Sequence, residues 1–122
     1  MSAVPKLSVG LAPGRHTVDL AKLAVDLECE RVYLYDSAAV YEDVFIWLAR
    51  LAEQTDALLG AAVLVPNLRH VMTTASAIAT LEDLAPGRFV YGLGTSPSST
   101  MRARDRSIAG SGSGTADNSA CV

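Results

Sequence analysis

The sequence predicts an α/β protein built on a parallel sheet, and two observations support that prediction. Apolar segments of strand character begin near residues 6, 31, 57 and 88, and each of the first three is followed by a segment of helical periodicity. No hairpin turn interrupts the series, so strand and helix alternate steadily along the chain. Alternation this regular indicates either a doubly wound sheet or part of a (β/α)₈ barrel.

Four segments are expected to form the strands. The second segment (RVYLY) is β-branched and aromatic, and the third (ALLGAAVLV) is continuously apolar, as in a strand covered on both faces. A helix between the third and fourth strands makes a βαβ crossover, which implies parallel pairing. The predicted strands span about residues 6–11, 31–35, 57–65 and 88–92.

Three helices are expected between these strands. The first is capped by Thr17 and continues through Glu28, and its apolar face is predicted from the spacing of Leu20, Leu23, Ala24 and Leu27. The second runs from about Tyr41 to Gln54, and the third from about Val71 to Leu84. The short loops between helices and strands carry the turn residues Pro13-Gly14, Pro66-Asn67 and Pro86-Gly87.

Length and composition predict one globular domain. The chain has 122 residues, half of them hydrophobic, and its net charge of −3 gives no reason to expect nucleic acid or an anionic membrane as a partner. Cys29 and Cys121 have neither metal-ligand nor disulfide-framework spacing, and a reducing cytoplasm fits them best. The N-terminus lacks a secretory signal, and no apolar stretch approaches the roughly 20 residues of a membrane span.

Composition changes abruptly after Arg106. The last residues (SIAGSGSGTADNSACV) are Gly/Ser-rich and have no apolar periodicity. Residues 1–104 are therefore assigned to the α/β domain and residues 105–122 to a disordered tail.

In parallel α/β folds, chemistry collects where the strands end and the following loops begin. The glycines of Gly92-Leu93-Gly94 do not make a dinucleotide fingerprint, because no third glycine opens a helix after them. They either let the backbone approach a ligand or ease a turn. In the first case Thr95, Ser96 and Ser98 would bind an anion through amides and hydroxyls.

Polar residues at the other strand ends have similar alternatives. Asp36 can accept hydrogen bonds from a ligand or a loop amide, or cap the next helix. Arg69 and His70 are either an anion clamp and a proton carrier, or the cap and solvated start of the third helix. Asn67 is interpreted as a turn residue. No Ser-His-Asp elbow, HExxH, CxxC or Walker motif is present, so catalytic residues and metal ligands stay unassigned.

One long motif carries a family resemblance. The run VLVPNLRHVMTTASAIATLEDLAPGRFVYGLGT resembles the signature of the bacterial-luciferase-like superfamily, the flavin- or deazaflavin-dependent barrel oxidoreductases. The resemblance covers Lys6 to about Arg104 and is most specific from Gly60 to Thr95. It implies a (β/α)₈ barrel that binds coenzyme F420, with FMN as the alternative, and transfers hydride or performs flavin-dependent monooxygenation on a small-molecule substrate.

The resemblance also implies cofactor contacts at the strand ends. One falls after the second strand, two fall at the end of the third, where relatives have a bulge, and the others follow the fourth. Matched to this sequence, they are Asp36, Leu64, Val65, Gly94, Thr95 and Ser96.

Several departures qualify what the resemblance implies. Relatives that act on sugar phosphates have a catalytic His where this chain has Ser37, and an acid where it has Pro97, which argues against that activity. A complete barrel takes about 250 residues, whereas this chain has four strands. We therefore expect a truncated barrel of four strands and three helices, too short to be active alone. The alternatives are a catalytically inactive fragment and a small cofactor-binding module that forms a homodimer through its open sheet edges.

Overall fold

A computed structural model describes residues 4–95 of the chain. Strands and helices alternate along this whole range, and a short 3₁₀ helix, Pro66–Leu68, follows the third strand. The elements in chain order are β1 (Ser8–Leu11), α1 (Thr17–Asp26), β2 (Arg31–Leu34), α2 (Val44–Gln54), β3 (Leu58–Leu64), α3 (Val71–Leu84) and β4 (Phe89–Leu93).

The four strands form one parallel sheet in the order β1-β2-β3-β4. Val32 in β2 pairs with Val9 in β1 and with Leu59 in β3, so the strands start nearly level. Each helix therefore connects two neighbouring strands, as in successive units of a (β/α)₈ barrel. The predicted fold class, parallel (β/α) units with four strands and three helices, is confirmed.

A single core lies between the helices and one face of the sheet. Helix α2 contacts both α1 and α3, so the three helices pack side by side. Alternate strand residues supply the sheet side of this core, and each fully buried leucine there contributes about 1.5–3 kcal/mol. The core residues with almost no exposed surface are Ala21, Val32, Leu34, Val44, Leu48, Leu51, Leu59, Ala61, Leu64 and Leu81.

The apolar face predicted for α1 is wrong in its three leucines and correct in Ala24. Leu20, Leu23 and Leu27 are 44%, 51% and 68% exposed, whereas Ala21 and Ala24 are buried against the sheet. Spacing alone favoured the leucines because both sets repeat with helical periodicity. Alanines on the buried side bring the helix axis close to the strands, and the larger side chains are left on its outer flank.

A side-chain cap sets the start of α2 but not that of α1. Asp43 is the N-cap of α2, and its carboxylate accepts hydrogen bonds from the amides of Phe45 and Ile46 at 2.8 and 3.1 Å. Helix α2 consequently begins at Val44 instead of near residue 41. Thr17 is the first helical residue of α1, and its buried hydroxyl accepts from the Gly14 amide at 2.8 Å instead of capping the helix.

Two tyrosines cover glycines on the sheet face that points away from the helices. The Tyr33 ring lies over Gly60 in β3, where an added Cβ would be 2.8 Å from the ring and 2.6 Å from the Val90 carbonyl oxygen. The Tyr35 ring lies in the same way over Gly10 in β1. Small residues on neighbouring strands thus leave room for the aromatic rings on this face.

Two arginines tie together the N-terminal ends of the strands. Arg31 donates to the carbonyl oxygens of Leu59 and Arg88 at 2.6 and 2.9 Å. Arg88 in turn donates to the carbonyls of Ala52, Thr55 and Ala57 at 2.6–3.1 Å, at the end of α2 and in the loop that precedes β3. Arg88 therefore has a structural role. It lies at the N-terminal ends of the strands, and in barrel-type folds residues at that end contribute to stability.

Among residues 4–95, no helix is long and apolar enough to cross a membrane. The predicted tail, residues 105–122, lies outside the described residues.

Candidate functional site

An open cavity of about 310 Å³ lies at the C-terminal ends of β2, β3 and β4. This is the end of a parallel sheet at which ligands bind in α/β proteins. Its volume is at the lower limit of small-molecule sites, roughly 300–1,000 Å³. The residues that line it are Tyr35, Asp36, Ser37, Tyr41, Ala62, Val63 and Thr95.

Asp36 lines the cavity, but both of its carboxylate oxygens bind groups of the same chain. Arg69 Nη1 lies 2.8 Å from Oδ2, and Arg69 Nη2 lies 2.9 Å from Oδ1, in a two-pronged ion pair. The amide of Val65 also donates to Oδ2 at 2.9 Å. The Asp36 side chain is 1% exposed, so these contacts hold a carboxylate that is almost removed from water. Of the alternatives that the sequence left open for Asp36, the hydrogen bond to a loop amide is confirmed, and the helix cap is wrong because Asp43 caps α2. Contact of Asp36 with a ligand stays a prediction.

Three residues of two elements surround the Arg69 guanidinium. Besides Asp36 at the end of β2, its guanidinium lies 3.5 Å from Asp43 Oδ2 and 4.9 Å from the ring centre of Phe45, both at the start of α2. The hydrogen bonds to Asp36 raise the pKa of Arg69, and the coulombic attraction of Asp36 and Asp43 adds to this, although partial burial opposes it. Arg69 is thus an anion clamp, and the anion is Asp36 of the same chain.

The bulge implied for the end of the third strand is present, but it lies at other residues. The pairing of β3 with β4 shifts register between Ala61 and Leu64, and the peptide bond between Ala62 and Val63 is cis. Ala62 and Val63 line the cavity, and these two residues are called its floor below. Leu64 and Val65, the predicted contacts, are 2% and 5% exposed, belong to the protein interior and do not line the cavity.

The glycine that follows β4, Gly94, packs against this bulge. A Cβ on Gly94 would lie 3.1 Å from Val63 Cγ2, and the Gly94 amide donates to the Leu64 carbonyl at 3.0 Å. Gly94 thus leaves space for the Val63 side chain, a packing role beside the cavity. Of the other predicted residues at this strand end, Thr95 lines the cavity, and Ser96 lies outside the described residues.

Two aromatic rings at the cavity were not among the predicted contacts. The rings of Tyr35 and Tyr41 lie 6.3 Å apart and are tilted by 37°, and both residues line the cavity together with Ser37. Strand alternation does place Tyr35 on the face opposite to Leu34. Tyr41 could not be placed from sequence, because the segment that carries it was predicted to be helical.

His70 takes the structural role among its alternatives. Its Nδ1 accepts a hydrogen bond from the Met72 amide at 3.2 Å, and His70 is the N-cap of α3. It is not part of the cavity lining. Asn67 lies in the 3₁₀ helix Pro66–Leu68, which confirms its interpretation as a turn residue.

The described lining residues are therefore suited to binding and orienting a ligand, and they include no obvious reactive group. The one acidic residue among them, Asp36, is neutralised by Arg69. Aromatic rings, a backbone bulge and hydroxyl groups suit a flat organic ring that is held and oriented.

Comparison with known proteins gives a family and three similar proteins. A family model described as luciferase-like monooxygenase matches residues 3–111. The F420-dependent glucose-6-phosphate dehydrogenase of Kineococcus radiotolerans is 36% identical over 93 residues, 69% of this chain and 27% of that protein. The enzyme of the same name from Beutenbergia cavernae is 48% identical over 54 residues, 43% of this chain and 16% of that protein.

Among solved structures, the coenzyme F420 dependent tetrahydromethanopterin reductase from Methanopyrus kandleri matches with a TM-score of 0.72 and 27% identity. The match covers 84% of this chain and 30% of the reductase chain. This chain therefore spans less than a third of the length of each of these three proteins.

Proposed function

The chain belongs to the luciferase-like monooxygenase family, and from this premise we propose that residues 4–95 form part of the site that holds the ring of coenzyme F420 in an oxidoreductase. The observation that carries the proposal is the cavity at the strand ends, with the bulge of Ala62 and Val63 as its floor. The three similar proteins, which are all named for coenzyme F420, support this choice over FMN.

The residues of the cavity fit a planar deazaflavin ring. Val63 and the backbone of Ala62 would contact one face of the ring, and the tyrosines Tyr35 and Tyr41 would form an apolar wall. The hydroxyl of Thr95 is placed to hydrogen-bond polar atoms at the ring edge. A volume of about 310 Å³ has room for the ring but not for a whole cofactor with its tail, which other parts of a complete barrel would hold.

The chemistry at such a site belongs mainly to the cofactor. When bound, F420 supplies a hydride donor or acceptor, and the protein contributes orientation and exclusion of water. Among the described lining residues, the negative charge of Asp36 would be balanced beside the ring, because its carboxylate is bound to Arg69 and to the Val65 amide.

The proposal covers the cofactor and not the sugar-phosphate substrate of the two dehydrogenases. The resemblance places their catalytic His at the position of Ser37, which lines the cavity here. A serine hydroxyl does not accept a proton near neutral pH as an imidazole does. We therefore propose a different small-molecule substrate for this site.

A chimera tests the proposal with a complete barrel. Residues 4–95 replace the matching segment of the Kineococcus radiotolerans enzyme, and binding of coenzyme F420 and of FMN is measured by fluorescence titration. The expected result is micromolar binding of F420 and at least tenfold weaker binding of FMN. A folded chimera that binds neither cofactor at 1 mM, or that prefers FMN, contradicts the proposal.

Two variants at one position provide a matched control. Ala62→Phe fills the cavity floor, whereas Ala62→Ser keeps nearly the same volume. We expect Ala62→Phe to weaken F420 binding at least tenfold and Ala62→Ser to change it less than threefold. Equal effects of the two substitutions would place the ring elsewhere.

A further inference from the structure

We propose that Arg69 is a positioning residue which, through Asp36, sets the shape of the β3 bulge at the floor of the cavity. Arg69 does not line the cavity itself. Its bearing on cofactor binding rests on the proposed function, whereas its effect on the bulge does not.

The first step is the chain of contacts from Arg69 to the bulge. The guanidinium holds both oxygens of Asp36, at 2.8 and 2.9 Å, which leaves the carboxylate one orientation. In that orientation Oδ2 accepts the Val65 amide at 2.9 Å. Val65 follows directly after the register shift between Ala61 and Leu64, so this bond fixes where the bulge ends.

The second step is that the bulge is held from two sides. On the β4 side, the Leu64 carbonyl accepts the Gly94 amide at 3.0 Å. On the β2 side, the Asp36 carboxylate is the hydrogen-bond partner of the Val65 amide. Bulges lack regular ladder bonds at the extra residue, so these flanking bonds determine where Ala62 and Val63 lie.

The third step is that Arg69 itself is fixed. Its side chain is 15% exposed and lies between Asp36, Asp43 and the Phe45 ring. Asp43 and Phe45 belong to the start of α2, so contacts with this helix fix Arg69 in addition to its contact with Asp36 at the end of β2. A planar guanidinium can form the two-pronged contact and stack on the ring, whereas a lysine ammonium cannot do both.

The test uses the 122-residue chain and needs no cofactor. Backbone and methyl NMR spectra are recorded for Arg69→Met, Arg69→Lys and Asp36→Asn. In Arg69→Met we expect exchange of the Val65 amide with solvent to accelerate, relative to the unsubstituted chain, at least tenfold more than exchange of the β3 amides. The Val63 methyl signals should also be displaced. Arg69→Lys should give a smaller change in the same signals, because it keeps the charge but only one contact.

Arg88→Met is the matched control. It removes an arginine that makes four carbonyl hydrogen bonds at the opposite end of the strands. It should accelerate exchange throughout the sheet without a selective change at Val63 and Val65. The proposal is overturned if the Arg69 variants lose stability while Val63 and Val65 change no more than the rest of β3. If Arg69→Met does not fold, Arg69→Lys and Asp36→Asn decide by the same criterion.

Because no ligand is added, the result stands apart from the proposed function. Failure of the chimera to bind F420 would leave the displacement of the bulge intact. An unchanged bulge would remove the role of Arg69 even if the chimera binds F420.

Discussion

Two glycines on the sheet face that points away from the helices show how neighbouring strands limit the size of a side chain. Gly60 lies under the Tyr33 ring and beside the Val90 carbonyl, whereas the atoms nearest to a Cβ on Gly10 all belong to the Tyr35 side chain. The atoms around the two glycines differ in mobility. The Val90 carbonyl belongs to a paired strand and is fixed, whereas the partly exposed Tyr35 ring can move. Equivalent glycines therefore differ in how much they tolerate a side chain.

Alanine substitution at the two glycines measures this difference. Gly60→Ala should lower the free energy of unfolding by about 2–3 kcal/mol, since overpacking against fixed backbone is costly. Gly10→Ala should lower it by less than about 1 kcal/mol, because Tyr35 is 39% exposed and its ring can swing aside. Urea unfolding followed by circular dichroism gives both values. Equal losses would show that the Val90 carbonyl does not set the cost.

Tyr91 is a partly buried tyrosine whose buried hydroxyl has no hydrogen-bond partner among residues 4–95. Its ring stacks on Phe89 with centres 5.9 Å apart. Burial raises its pKa to about 12, with a further contribution from the negative charge of Glu82. The phenol therefore keeps its proton in the folded chain at a pH where the unfolded chain has released it.

This difference predicts a pH dependence with a definite sign. The free energy of unfolding should fall as the pH rises from about 10 to about 12, because only the unfolded state gains stability by deprotonation in that window. Tyr91→Phe should show a smaller fall over the same window. At pH 7 the variant should be more stable by about 1 kcal/mol, since it removes an unpaired buried hydroxyl. Parallel slopes for the two proteins would contradict this account.

At the scale of elements, the ends of helices depend on single residues. Helix α1 ends before Glu28, which has a left-handed backbone with φ of 58°. Its amide donates to the Val25 carbonyl at 3.0 Å, and the Cys29 amide donates to the Ala24 carbonyl at 2.9 Å. This bonding pattern normally has glycine at the left-handed position. Without a glycine there, the sequence contained no signal for the helix end, and the predicted helix ran two residues too far.

Replacing Glu28 by glycine should therefore stabilise the chain. We expect Glu28→Gly to raise the free energy of unfolding by about 0.5–1 kcal/mol, because glycine adopts this conformation without strain. Gly87 provides the reverse control, since its φ is 72° and no atom lies near an added Cβ. Gly87→Ala should lower the free energy of unfolding by about 1 kcal/mol. Thermal melts of both variants check the opposite signs.

The type and order of the strands and α-helices were predictable, and the reasons are local. Continuous apolar runs marked the buried strands, and proline and glycine marked the turns, so all four strands and α3 lie within about two residues of their predicted bounds. The faces of α1 were not predictable, because two apolar stripes competed. The contact of Arg69 with Asp36 could not be predicted either, since the two residues are 33 positions apart in the sequence.

At the scale of the whole molecule, the site is predictable in place but not in detail. Parallel strands put their C-terminal ends together, so Asp36 and Thr95 lie at one cavity as expected. Ala62 and Val63 line the cavity and Leu64 and Val65 do not, because one irregular step in β3 changes which side chains face outward. Cofactor contact by Leu64 and Val65 stays a prediction, as does direct cofactor contact by Asp36.

The outer edges of β1 and β4 bound the described sheet. In a closed eight-stranded barrel both edges are paired, and the loops of all eight units surround the ligand. The described part of this chain supplies three of the loops between strands and helices, so binding by the chain alone should be weak. A homodimer that pairs these edges stays a prediction.

The most direct measurement is a titration of the 122-residue chain with coenzyme F420, followed residue by residue with NMR. We predict shifts concentrated at Ser37, Tyr41, Val63 and Thr95, with no saturation below about 1 mM, which corresponds to a binding free energy weaker than about 4 kcal/mol. Shifts that occur instead at the separate groove lined by Lys22, Asp26 and Asp56 would contradict the proposed site. Micromolar binding that disappears in Asp36→Ala would contradict the account as well, because it would make this chain a complete cofactor site without the rest of a barrel.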